Sequence, residues 1–196
     1  MSQPHRRPRL ILVSGAPASG KSTLASQLAT DLALPLLAKD LIKEALFDAL
    51  GTPDRDGSRE LSVASVKVLY AILDRLIDGG AGVVVDCNFH RGYAEEQLRP
   101  LIAKSKAVLL HCRTSYLELT RRYERRVVLR ERHPGHHDST FRHGLLAAFE
   151  SGEYDSLDLD IPTMVVDTTD GYSPRLDAIK AFVNSATWAA TPPGSI

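Results

Sequence analysis

Apolar and polar positions along the chain fall into two alternating patterns. Unbroken apolar runs occur at "RLILV" (9–13), "GVVVD" (82–86), "AVLLHC" (107–112) and "TMVVD" (163–167), with a shorter one, "PLLA", at 35–38. None of them alternates with period two, which is the pattern of parallel strands covered by helices on both faces. Between the runs, apolar residues recur at helical spacing. Leu24, Leu28 and Leu32 form one stripe, and Ile42, Ala45, Leu46, Ala49 and Leu50 a second. A third passes through Leu61, Leu69, Ile72, Leu73, Leu76 and Ile77 and stops at Gly79-Gly80. Leu176, Ile179, Phe182 and Val183 make the last, while Pro100 interrupts the pattern between 93 and 104 and predicts a broken helix there. Strands alternating with helices predict an α/β domain of three layers, taken as one unit over residues 1–196, with a frayed tail at 189–196.

The first strand breaks into "VSGAPASGKSTLA" before a helical stripe resumes. Gly15, Gly20, Lys21 and Ser22 fit G-x-x-x-x-G-K-[ST], with the strand before and the helix after that this P-loop pattern requires. Its glycines let the backbone curl so that amides face phosphate oxygens at the positive end of a helix dipole. The candidate nucleotide contacts are therefore Gly15, Ala16, Pro17, Ala18, Ser19, Gly20, Lys21, Ser22 and Thr23. Lys21 can set a point charge against the outer phosphates, and the Ser22 hydroxyl can ligate Mg²⁺.

Two acids follow strands. Asp40 comes just after the second, short strand, at the edge where such sheets bind ligands, and could accept the proton of an attacking hydroxyl; it could equally cap the helix it precedes. Asp86 ends "GVVVD", as an acid holding Mg²⁺ or its water shell would, or as a turn residue. Asn88 and Arg91 beyond it are candidate substrate contacts.

Seven arginines lie within 113–132, and Arg122, Arg126 and Arg130 recur at four-residue spacing on one helix face. Glu118 can pair with Arg122 and leave Arg126 uncommitted. Guanidiniums suit the charge that develops in phosphoryl transfer, although a basic surface helix has the same composition. Pro134-Gly135 then breaks the helix, as a mobile cover would. His133, His136, His137 and His143 match no zinc spacing; His133 is instead a candidate substrate contact.

Charge and composition remove alternatives. Lys plus Arg equals Asp plus Glu at 24 each, so no global field draws the chain to nucleic acid or a membrane. No apolar run approaches a membrane span, and Cys87 and Cys112 at the ends of apolar runs fit buried reduced thiols, which makes the cytoplasm the expected location.

Over residues 9–170 the combination of P-loop, Asp40, "VVVDCNF" and an Arg-rich helix resembles the small P-loop phosphotransferases. These include polynucleotide 5′-kinases, chloramphenicol phosphotransferase, zeta-toxin kinases and gluconate kinases. The nearest likeness is to compact bacterial proteins labelled AAA-family ATPases or predicted kinases. The resemblance implies a five-stranded parallel sheet in the order 2-3-1-4-5 with a lid at about 120–142. It implies ATP or GTP with Mg²⁺ as cofactors. By residue, it puts Lys21 and Ser22 on phosphate and metal, Asp40 as catalytic base, and Arg122, Arg126 and Arg130 as lid residues. Thr168, Thr169 and Arg122 are candidates for contacting the nucleotide base. Asp86 departs from the pattern in lacking a second acid, and "RHPGHHD" has no counterpart in it. A kinase acting on a hydroxyl of a nucleoside, sugar or antibiotic is the leading expectation. A polynucleotide 5′-hydroxyl kinase and a nucleotide-gated switch are the alternatives.

Overall fold

A computed structural model describes residues 7–51, 54–129, 132–136, 144 and 146–186. In chain order these form β1 (Arg9–Gly15), α1 (Lys21–Asp31), β2 (Leu36–Ala38), α2 (Lys39–Leu50), α3 (Arg55–Asp78), β3 (Val83–Asp86), α4 (Ala94–Lys104), β4 (Lys106–Arg113), α5 (Tyr116–Leu129), a 3₁₀ turn (Pro134–His136), β5 (Thr163–Asp167) and α6 (Leu176–Ser185). All five strands are parallel, in the order β2-β3-β1-β4-β5. This is the expected topology. The tail at 189–196, Arg130, His137 and His143 lie outside the described residues.

Successive strand residues feed opposite cores. Leu10, Leu12, Val83, Val85, Ala107 and Leu109 pack with Leu69, Leu73 and Ile77 of α3 and Leu98, Leu101 and Ile102 of α4. Ile11, Val13, Val84, Val108 and Leu110 pack with Leu24, Leu28, Ile179 and Val183 of α1 and α6. That two-sided burial is why the strands read as unbroken apolar runs. Each fully buried Leu or Val contributes about 1.5–3 kcal/mol.

Three expectations are corrected. Pro100 sits inside an unbroken α4. It is exposed, as is Glu96, whose carbonyl loses its N–H partner, so that carbonyl can turn to solvent instead of breaking the helix. The face that α2 buries is Lys43 and Phe47, while Leu50 stays 70% exposed. The stripe at Ala45 and Ala49 misled because a distant segment, 132–136, packs over Phe47. Finally, β5 is covered on one face only. Val166 is buried beneath α6, whereas Val165 is 44% exposed because β5 lies at the sheet edge with no α3–α4 layer over it.

Candidate active site

The turn after β1 is shaped by three residues with positive φ: Gly15 at 142°, Ala18 at 64° and Gly20 at 82°. A Cβ on Gly15 would stand 2.2 Å from the carbonyl oxygen of Cys112 on β4, so only glycine permits this approach. Ala18 accepts a left-handed conformation that costs a non-glycine residue about 1 kcal/mol or more, as backbone at ligand sites often does. The Ser19 N–H closes the turn on the Ala16 carbonyl at 3.1 Å. Helix α1 then starts at Lys21 with no side chain capping it, leaving first-turn amides to an anion. Alternating positive φ and an uncapped helix start make an anion nest.

Sheet register brings the acids to this turn. Val13 and Ala38 both pair with Asp86, so the ends of β1, β2 and β3 are level, and Asp40 follows two residues after Ala38. Lys21 is buried. Asp86 is buried too, and burial raises its pKa against the opposing pull of Lys21 and a hydrogen bond from Ser22. Its Oδ1 is buried without any hydrogen-bond partner. A buried carboxylate oxygen with no donor, beside Ser22 and a phosphate nest, suits a divalent cation, so the residues fit Mg²⁺.

Asp40 lies in the first turn of α2. Lys39 Nζ donates to its Oδ1 at 3.2 Å and Arg132 Nη2 donates to its Oδ2. Burial alone would raise its pKa, but Lys39, Arg132 and Lys21 together hold it well below the usual carboxylate range. Arg132 belongs to a strap, residues 132–136, laid across α2 and α3. From α3 the Ser58 hydroxyl donates to the Gly135 carbonyl of the strap at 2.7 Å, and Gly135 lies so close to the Phe47 ring that a Cβ would stand 2.7 Å from it. Lys43 donates to Ser58 at 3.0 Å and lies over the Phe47 ring.

Helix α5 borders the turn on its other side. Leu119 and Tyr123 pack on Ala16 and Ala18. Glu118 accepts from Arg121 and from Arg122 Nε, each at 2.7 Å, and these two bonds hold its pKa down to about 2. Arg122 also donates to the Thr168 and Thr169 carbonyls after β5. Arg126 is not uncommitted as the sequence suggests; it has contacts of its own. A recess of about 390 Å³ lies here, lined by Gly20, Thr23, Arg122, Arg126, Thr168 and Tyr172 among others. A larger one of about 480 Å³ touches Ser19, His111 and Val165 but none of Lys21, Asp40 or Asp86, so it is not where the acids converge.

The remaining candidates lie further out. Asn88 lies beside the Tyr154 hydroxyl, and Arg91 is tied to the same segment through its N–H to the Glu153 carbonyl at 3.1 Å and its guanidinium 3.9 Å from Asp155. His133 stacks on Phe47 and sits 3.3 Å from Asp48, two turns along α2 from Asp40. The residue of that segment that reaches Asp40 is Arg132. Sequence reasoning counted it among the seven arginines and gave it no role, because it is off the four-residue register; the helix break at Pro134 was the available signal. Among the described residues no three His, Cys, Asp or Glu side chains gather to hold a metal. Both cysteines are buried free thiols, each pushed up to about 12 by burial.

A P-loop on β1, acids after β2 and β3, and an arginine helix beside them on a 2-3-1-4-5 sheet define the small P-loop kinase class. The AAA_33 family model, described as an AAA domain, matches residues 10–145, and the chain belongs to that family. It is similar to the crystal structure of a candidate kinase from Chloroflexus aurantiacus, with 33% identity over 93% of this chain and all of that one, at a TM-score of 0.83. A sugar kinase from a Janibacter species shares the fold at 18% identity over 90% of this chain and 95% of that one, with TM-score 0.61. So does a gluconokinase from Sinorhizobium meliloti, at 22% identity over 91% and 93%, with TM-score 0.55. Among curated proteins no sequence matches the chain. No helix among the described residues is long and apolar enough to cross a membrane.

Proposed function

We propose that the protein is an ATP- or GTP-dependent kinase that transfers the γ-phosphoryl group to a hydroxyl of a small molecule such as a nucleoside, sugar or antibiotic. The convergence of Lys21, Asp86 and Asp40 on one sheet edge carries this reading. The amides of residues 15–22 hold the phosphates, and the Lys21 ammonium steadies the outer ones as charge moves to the leaving oxygen. Ser22 and Asp86 would hold Mg²⁺, which when bound neutralises phosphate charge. The base lies in the recess between Arg122 and Thr168–Tyr172.

Asp40 accepts a hydrogen bond from the acceptor hydroxyl and aims it at the phosphorus. Held at so low a pKa it is a weak proton acceptor, so it takes the proton as the new P–O bond forms, which a loose transition state allows. Arg122 and Arg126 stand at the nucleotide, and the strap at 132–136, with Arg132, covers the acceptor side and excludes water. Asn88, Arg91 and His133 form the outer wall of the acceptor pocket.

The test is incubation with ATP or GTP, Mg²⁺ and a panel of hydroxyl compounds, with mass spectrometry for phosphoryl gain. The panel includes a short 5′-hydroxyl oligonucleotide, whose phosphorylation in place of every small molecule would replace this acceptor class by a polynucleotide. Hydrolysis indifferent to every compound would remove the kinase reading.

A further inference from the structure

The strap and α2 present two matched pairs, each spaced four residues apart. Asp40 and Glu44 stand on α2; Arg132 and His136 stand on the strap. Arg132 Nη2 donates to Asp40 Oδ2 and lies 3.1 Å from His136 Nδ1. It is 3.3 Å from Nε2, which itself lies 2.9 Å from Glu44 Oε1. The near-equal distances to the two ring nitrogens place Nη2 against the face of the imidazole, where a protonated ring would repel it, so the ring is neutral. Nε2, facing the Glu44 carboxylate, carries the hydrogen and donates to it.

The surroundings agree with that tautomer. The His136 side chain is 5% exposed and meets the Phe47 ring edge-on at 5.5 Å. Burial and the charges of Arg132, Lys43 and Lys39, opposed by Asp40, push its pKa down to about 3. Those groups and Glu44 face it from the strap and α2. The result is a chain of contacts, with Arg132 donating to Asp40 and lying on the His136 ring, and His136 donating on to Glu44.

We propose that Glu44 and His136 are positioning residues: acting through Arg132, they fix the orientation of the Asp40 carboxylate and hold the strap over it. This rests on the reading of Asp40 as the residue that aims the acceptor. Lys39 on one oxygen and Arg132 on the other lock the plane of the carboxylate. Arginine is a long side chain with many rotamers, so it holds a plane only if held itself. A neutral His136 does this without adding a cation that would compete for Asp40, and Glu44 balances the charge Arg132 brings. This gives "RHPGH" a purpose that the P-loop pattern does not supply.

Two measurements test it. The first needs no substrate: ¹⁵N spectra of His136 in the nucleotide-free protein should show the Nε2–H tautomer, unprotonated from pH 5 to 8. A ring titrating in that range like free imidazole, near 6.5, overturns the relay whatever the protein phosphorylates. The second compares His136→Phe, which keeps the ring packing, with His136→Gln, whose amide can still donate to Glu44 and pack against Arg132. Phe should lower kcat about 10- to 100-fold with KM for nucleotide unchanged. Gln should recover to within a few-fold of wild type. Equal unfolding temperatures for the two separate this from a folding defect. Wild-type kcat in the Phe variant, or no recovery in Gln, overturns the proposal.

Discussion

The Thr168 hydroxyl donates to the Ser19 carbonyl at 2.6 Å, tying the end of the last strand to a turn 149 residues earlier. The same oxygen lies 3.4 Å from Arg122 Nη1. Phosphate turn, arginine helix and β5 thus meet at one side chain. Thr168→Val keeps the shape and removes the hydroxyl, stranding the buried Ser19 carbonyl. Urea unfolding should show a loss of about 1–2 kcal/mol, and calorimetry a several-fold weaker nucleotide. Unchanged values for both would mean the tie is idle.

Gly15→Ala is expected to be far more damaging. The new Cβ would meet the Cys112 carbonyl oxygen at 2.2 Å, and the backbone there sits at φ 142°. Thermal unfolding should register a loss above about 2 kcal/mol, with nucleotide binding gone in whatever folds. A stable, binding-competent variant would show that the close pairing of β1 and β4 at the turn is wrong.

Asp86 works against stability. Its pKa is raised by burial, so its ionised form is disfavoured in the fold; the linkage favours the fold at low pH and loses that as pH rises through the raised value. At neutral pH Asp86→Asn should therefore raise the unfolding temperature of the nucleotide-free protein by a few degrees, about 2–4 °C per kcal/mol. It should also cancel the added stabilisation that Mg²⁺ gives with nucleotide. A destabilised variant that still responds to Mg²⁺ would show that Asp86 neither bears this strain nor holds the metal.

Asp40 has the opposite sign. Its folded pKa lies below the ordinary aspartate value of about 3.9, so its ion pairs stabilise the fold above about pH 4, and that contribution fades as pH falls further. Stability measured from pH 6 to pH 3 should drop, and Asp40→Asn should flatten part of the drop. Identical slopes in wild type and variant would show that Lys39 and Arg132 do not hold the carboxylate.

The strands and the phosphate turn were legible because their signals are local. A strand buried on both faces needs an apolar run, and an anion nest needs glycine and lysine at fixed spacing. The positions of Asp40 and Asp86 at the ends of the strands were legible for the same reason, since Asp86 ends one apolar run and Asp40 comes two residues after another. What escaped depends on contacts distant in sequence. Nothing near Lys43 and Phe47 announces that a strap ninety residues later covers them, so α2 was given the wrong face. The pairing of Arg132 with Asp40, 92 residues apart, leaves no trace in either neighbourhood, and the regular Arg122, Arg126, Arg130 series drew notice instead. The ties of Asn88 and Arg91 to residues 153–155 are equally invisible in "CNFHRG".

The most direct measurement is single-turnover transfer of the γ-phosphoryl group from the Mg²⁺–nucleotide to the acceptor found in the panel, at pH 7, in wild type and in Asp40→Asn. The asparagine should cut the transfer rate at least about 100-fold while nucleotide affinity stays within twofold. Transfer at the wild-type rate by folded Asp40→Asn would contradict the account.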